Sequence, residues 1–253
     1  MSEFQVMQGR QIPIQAPELP EPAIYNCPDT KTLSVFCQAP PGVIAKYLEP
    51  TPFEFVSDDF LVYVSDMRNC DFEVGGFFDM GLIIPVRYGD IFGGHVLFEY
   101  EDEDYGICAG RELWGYPKKY ASATLEEKNG VILGSVWKKG VEIMRLKMDL
   151  GSEPQADLPP IKLRPHLQLH TVPQPDGLGI YSQRLMMRDT GPGCTIKQQT
   201  SGAGQVKLQS IRRNPLGEFT PTKIYGAIYE VSDFRSTLEH GLAKVIAELV
   251  KPE

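Results

Sequence analysis

The 253-residue chain contains no run approaching eighteen apolar residues, so no membrane-spanning helix is expected. It also lacks a basic cluster. Its 25 Lys and Arg stand against 33 Asp and Glu, a net charge of −8. Such a chain is a poor nucleic-acid binder and is repelled by anionic membrane surfaces. Cysteine is sparse: Cys27, Cys37, Cys70, Cys108 and Cys194 are odd in number and show no CxxC spacing. Neither a disulfide framework nor a zinc site is expected. There is no Gly-x-Ser-x-Gly elbow and no P-loop, and Gly202-Ala203-Gly204 lacks the third glycine of a dinucleotide site. Residues 1–22 are polar and proline-punctuated, without the charged-then-apolar pattern of a secretory leader. A reducing, cytoplasmic location is the resulting expectation.

Other candidate motifs also weaken on inspection. His166 and His170 stand four apart, a metal-binding spacing on a helix. The alternation of Leu167 and Leu169 between prolines favours a strand, so no metal site is expected. Asp189-Thr190-Gly191 lacks the apolar flank and second copy of an aspartic-protease triplet and reads as a turn.

What the chain does have is glycine and proline, 24 and 21 residues, hence many turns and many strands. Strand-like runs occupy 32–37, 60–64, 81–86 and 94–100. A short helix is predicted over 43–48, ended by Pro50. Asn129-Gly130 is a two-residue hairpin signal joining 122–128 to 131–137. Met144, Leu146, Met148 and Leu150 alternate with polar residues, giving a half-buried strand. The acidic run Glu101-Asp102-Glu103-Asp104 reads as an exposed turn. At the C-terminus, Ser232 offers an N-cap, and Phe234, Leu238, Leu242, Val245, Ile246 and Leu249 fall on one helical face. The expected fold is therefore α+β and β-dominated, with antiparallel strands and a C-terminal helix from about Asp233. Residues 1–22 are expected to form an extended arm and 23–253 a single domain.

The most informative stretch is Gly110-Arg111-Glu112-Leu113-Trp114-Gly115-Tyr116-Pro117-Lys118-Lys119-Tyr120. It resembles the active-site segment of the acetoacetate decarboxylase family, in which a Gly-Arg-Glu triplet precedes an aromatic-Pro-Lys-Lys run. A weaker resemblance lies in Arg164-Pro165, the following strand and Pro173. The resemblance implies that Lys118 forms a Schiff base with a ketone, that the fold is an antiparallel β cone, and that the subunits form a homo-oligomer. It implies a small-molecule keto acid or other carbonyl substrate and no cofactor, because the lysine imine is itself the electron sink.

A lysine nucleophile must lose its proton. With an ordinary pKa near ~10.4, only about one in two thousand is neutral at pH 7. A neighbouring cation can lower that value, as is known for acetoacetate decarboxylase, and so can removal from water. Alternation along an extended segment points Lys118 and Lys119 apart. Leu113, Trp114, Tyr116 and Tyr120 supply apolar surface. The expectation is therefore a Lys118 pKa lowered mainly by desolvation, with Lys119 facing elsewhere.

Further site residues follow from the resemblance. Trp114 and Tyr116 are expected at the substrate, and Arg111 and Lys119 as supporting groups. On a strand Arg111 and Glu112 point to opposite faces, and Glu112 is either a general acid/base or an orienting partner, with a structural ion pair as the alternative. Family members carry an arginine on the first strand and glutamates on two others. Matching places Lys31 at the arginine, Asp79 at one glutamate, and Ser65 or Asp66 near the other. The alternative, that Lys31 and Asp79 are surface charges, stays open. The leading function is a β-keto acid decarboxylase. Two alternatives remain: a Schiff-base aldolase or dehydratase, and a non-catalytic small-molecule binding protein.

Overall fold

The computed structural model describes residues 24–71 and 76–252. The expected arm at 1–22 lies outside the described residues. In order, the elements are β1 (Tyr25–Gln38), α1 (Val43–Leu48), β2 (Glu54–Phe55), β3 (Asp59–Met67), β4 (Phe77–Tyr88) and β5 (Ile91–Glu101). A short helix α2 (Asp104–Cys108) runs into a π-helical turn (Ala109–Leu113) and then β6 (Lys118–Tyr120). There follow β7 (Ser122–Lys128), β8 (Val131–Lys138), β9 (Val141–Asp149), β10 (His166–Pro173), β11 (Ile180–Arg188), β12 (Cys194–Leu208), a 3-10 turn (Leu216–Phe219), β13 (Lys223–Ser236) and β14 (Ala243–Val250).

The main sheet runs β14-β11-β10-β5-β4-β3-β1-β13-β12-β9-β8-β7, with β2 beside β4 and β6 beside β5. Strands dominate, as expected. Most strand pairs are antiparallel, as expected of the cone; β5 in addition pairs in parallel with β10 and β6, and the sheet is open between β7 and β14. The Asn129-Gly130 hairpin forms with φ of 53° and 75°, the positive values a primed turn requires.

The predicted C-terminal helix is absent. Ser232, its expected cap, sits inside β13, paired with Thr30 on one side and Ile196 on the other. Gly241, at φ 84°, breaks the segment, and β14 then adds to the edge of β11. The apolar residues fit the helical period, but the free backbone edge of β11 and the β-branched Val245, Ile246 and Val250 decide for strand. The cysteine expectation also needs correction: Cys27 and Cys70 are joined in a disulfide. The two lie 43 residues apart in sequence, and only the fold brings β1 against the end of β3.

Strand alternation divides β1 between two environments. Leu33, Val35 and Cys37 enter the main core with Val62, Leu82 and Met144, all fully buried. Thr30, Thr32 and Ser34 face a cavity on the other side. A second apolar cluster, including Phe77, Tyr105, Trp114 and Tyr116, packs around that cavity. Phe60 anchors the main core. It is fully buried and meets the Phe219 ring edge-on at 5.9 Å. Phe60→Ala is expected to lower unfolding free energy by about 3–5 kcal/mol, read from urea melts. A loss below about 1 kcal/mol would show that this core does not depend on it.

Candidate active site

Lys118 opens β6, and its parallel pairing with β5 sets Lys118 beside Glu99. Glu99 and Glu101 are two apart on one strand, so both side chains face the same way. On the antiparallel neighbour β4, Asp79 pairs with Glu101. The result is a lysine among three carboxyl groups. Lys118 Nζ is ion-paired with Glu101 Oε2, lies 3.4 Å from Asp79 Oδ2, and lies 3.8 Å from Glu99 Oε1. Lys118, Glu99 and Glu101 are 7%, 3% and 0% exposed, so water screens these charges poorly. From β3, Tyr63 donates its hydroxyl to Asp79 Oδ1 at 3.1 Å and lies 3.5 Å from Glu99 Oε1.

Glycines make this approach possible. A Cβ on Gly110 would stand 2.5 Å from Lys118 Cδ, and one on Gly106 would overlap the Glu101 carboxyl. These two bare positions, four residues apart, let the α2–π turn lie directly over the lysine and its acid. Gly115, at φ 77°, returns the chain towards β6, where a side chain would strike the His170 backbone. Tyr116 N–H closes the loop by donating to the Gly110 carbonyl at 2.8 Å.

The charges correct the expected lysine pKa. Burial is the largest single influence on Lys118 and favours the neutral amine. Asp79, Glu101 and Glu99 together outweigh it and hold the ammonium well above the ordinary lysine value. Burial pushes Glu99 well above the usual carboxylate range, and pushes Glu101 up to about 7, in both cases against the pull of the Lys118 charge. Glu99 Oε2 and Glu101 Oε1 are buried with no hydrogen-bond partner. The site therefore binds protons more readily than ordinary carboxylates do, and its lysine rests as a cation.

The cavity in front of Lys118 has a volume of about 420 Å³. Asp79, Trp114 and Tyr116 line it beside Lys118. Other expected site residues do not reach it. Glu112 and Arg111 are exposed, because the Gly-Arg-Glu triplet lies in the π-helical turn rather than on a strand. Glu112 contributes its backbone carbonyl, 2.8 Å from His170 Nε2. Lys119 points away from Lys118 and donates to the Arg213 carbonyl at 3.1 Å and Asn214 Oδ1 at 3.3 Å. Lys31 is exposed, and it misses the cavity because it shares the β1 face of Leu33 and Val35 rather than that of Thr30 and Thr32. Between Ser65 and Asp66, Ser65 is the residue at the cavity, 2.8 Å from the Thr32 hydroxyl. Asp66 pairs instead with Arg68 at 2.7 Å.

Four cavity or near-cavity groups were not anticipated: Tyr63, Glu99, Glu101 and Arg188. The i, i+2 acids at the end of an apolar strand were the available signal for two of them. Their membership in a longer acidic run concealed it, because Glu101 is the fully buried member of a stretch expected to be exposed.

The family model described as acetoacetate decarboxylase matches residues 11–246. An acetoacetate decarboxylase of Burkholderia ambifaria (strain MC40-6) is 28% identical over 243 residues, covering 93% of each chain. Acetoacetate decarboxylase 3 of Mesorhizobium japonicum is 39% identical over 88 residues, about a third of each chain (34%). Among solved structures, one of acetoacetate decarboxylase superposes with a TM-score of 0.84 at 19% identity, covering 99% of this chain and 100% of that one. The enduracididine biosynthesis enzyme MppR, complexed with pyruvate, superposes with a TM-score of 0.67 at 12% identity, covering 92% of each chain. The chain belongs to the acetoacetate decarboxylase family and is an enzyme of the lyase class.

Proposed function

We propose that this enzyme decarboxylates a β-keto acid through a Schiff base on Lys118. The observation that carries this reading is the lysine itself, buried at the wall of a cavity and in contact with acids able to take and return its proton. Burial disfavours charge on both Lys118 and Glu101, so passing the ammonium proton to Glu101 removes two buried charges at once. That transfer supplies the neutral amine without an isolated, depressed lysine pKa.

The amine attacks the ketone carbon, and the resulting carbinolamine loses water with the proton held on Glu101, leaving a protonated imine. The bond to the carboxylate carbon then breaks. Its electron pair moves into the iminium, carbon dioxide departs, and an enamine remains. Glu99, raised well above the usual carboxylate range and lining the cavity, delivers a proton to the enamine carbon. Water then attacks the iminium, releases the ketone and restores Lys118.

A second reading keeps the imine but follows it with aldol or dehydration chemistry. Two observations favour it: where the resemblance places a glutamate near Ser65 or Asp66, the residue at the cavity is Ser65, and among the described residues no first-strand cation lines the cavity. A fold relative that carries pyruvate points the same way.

Borohydride reduction in the presence of acetoacetate or pyruvate is expected to attach the ligand skeleton to Lys118, read from the mass of its peptide. Lys119→Ala retains this adduct and Lys118→Ala loses it. Carbon dioxide release separates the two readings. In Glu99→Gln, labelling persists while decarboxylation falls by on the order of 100-fold. A folded protein that traps no carbonyl compound overturns the imine reading.

The raised Glu101 pKa has a signed consequence for stability. Its folded value is about 7, against 4.5 ordinarily. The stabilisation is complete below pH 4.5 and is lost as pH rises through about 7. Relative to Glu101→Gln, the wild type is therefore expected to lose on the order of 2–3 kcal/mol across that interval, read from urea melts at several pH values. A pH-independent difference between the two proteins would mean that Glu101 is ionised throughout.

A further inference from the structure

The cavity holds a second buried cation that the imine chemistry does not use. Arg188, the last residue of β11, is 8% exposed and lines the cavity. Its guanidinium lies 3.9 Å from the centroid of the Trp114 ring. Nε donates to the Gly241 carbonyl at 2.5 Å, and Nη2 donates to the Tyr25 hydroxyl at 2.8 Å. Among the described residues, no carboxylate forms an ion pair with it. A guanidinium removed from water with no carboxylate in direct contact is costly, and its planar fork of five N–H donors matches a carboxylate.

The remaining cavity charges orient an incoming keto acid. Around Lys118 stand Asp79, Glu99 and Glu101, which repel an anionic group there. In contact with Arg188 stand Tyr25, Trp114 and Tyr116, none of them anionic, with His166 beside them, its Nδ1 2.8 Å from the Tyr116 hydroxyl. The carboxyl group that interacts with Arg188 electrostatically is Glu99, which lies 3.8 Å from Lys118 Nζ. Burial, together with the charges of Arg164 and Arg188, drives the His166 pKa down to about 3, so its ring does not compete as a cation.

We propose that Arg188 binds a substrate carboxylate that is retained in the product, so that the substrate is a keto acid bearing a carboxylate remote from the bond that breaks. This rests on the keto-acid reading above. A departing carboxylate is a poor occupant for Arg188. Its negative charge flows into the imine as the bond breaks, so a cation gripping it stabilises the reactant more than the transition state. A remote carboxylate keeps its charge throughout and leaves the reacting end free to meet Lys118. The cavity of about 420 Å³ has room for more than a four-carbon acid.

The test uses 4-oxopentanoate and 2-pentanone, stable ketones that differ only by a carboxylate in place of a methyl group. Their affinities are measured by calorimetry on Lys118→Met, which cannot form the imine, with and without Arg188→Gln. The expected result is about 10- to 100-fold tighter binding of 4-oxopentanoate, abolished by Arg188→Gln while 2-pentanone binding changes less than about threefold. Equal affinities before the Arg188 change, or discrimination that survives it, overturn the proposal. If Arg188→Gln does not fold, Arg188→Lys takes its place. It keeps the charge without the fork, and the discrimination must fall at least severalfold. Borohydride labelling of the native protein runs in parallel. Discrimination without labelling counts against the imine reading alone, and labelling without discrimination counts against Arg188 alone.

Discussion

A buried lysine among three carboxyl groups is the constraint on which this site depends. Removing any one of these charges from water is unfavourable, and each is tolerated only because the others are near. The arrangement has more acids than cations, so burial pushes proton affinity onto Glu99 and Glu101 while Lys118 is held as an ammonium. The buried oxygens without partners, Glu99 Oε2 and Glu101 Oε1, fit carboxyl groups that hold a proton for part of the time. Proton location, rather than a single depressed pKa, is the variable that such a cluster controls.

The fold supplies this cluster by means of three simple periodicities. Antiparallel register sets Asp79 opposite Glu101, the two-residue strand repeat puts Glu99 on the same face, and a short parallel strand brings Lys118 alongside. The turn before β6 completes the site. π-helical turns are rare and occur often at functional sites. Here the turn places Gly110 over the lysine stem, where any side chain would displace it. The glycine of the Gly-Arg-Glu triplet is thus explained by contact with Lys118, while the Arg and Glu side chains of the same triplet point outward.

Much of this was legible in the sequence. The motif located Lys118, the turn chemistry of Asn129-Gly130 located a hairpin, and apolar alternation located most strands. The failures share a cause: local pattern was read without knowing which neighbour would be present. The C-terminal residues have a helical period but meet an unpaired strand edge. Glu101 belongs to a run of acids but is the one residue of that run still inside β5. Lys31 lies one residue from cavity-facing threonines, and on a strand one residue is the difference between faces. Arg188 had no local signal, because its significance comes from Trp114, Tyr25 and Gly241, which are 53 to 163 residues away in sequence for the two hydrogen-bonded partners.

The correction to the lysine pKa bears on how substrate and protein cooperate. An amine kept neutral by desolvation alone would be ready before any ligand arrives. An ammonium held by acids becomes a nucleophile only when its proton moves, and that movement is favoured by whatever further excludes water from the cavity. Under the proposed function, a ketone filling the space beside Trp114 and Tyr116 does this. It strengthens the penalty on both buried charges, and so shifts the pair of Lys118 and Glu101 towards its neutral form. On the proposed imine reading, substrate entry and nucleophile formation are then linked by the same desolvation, acting on the ion pair rather than on the lysine by itself.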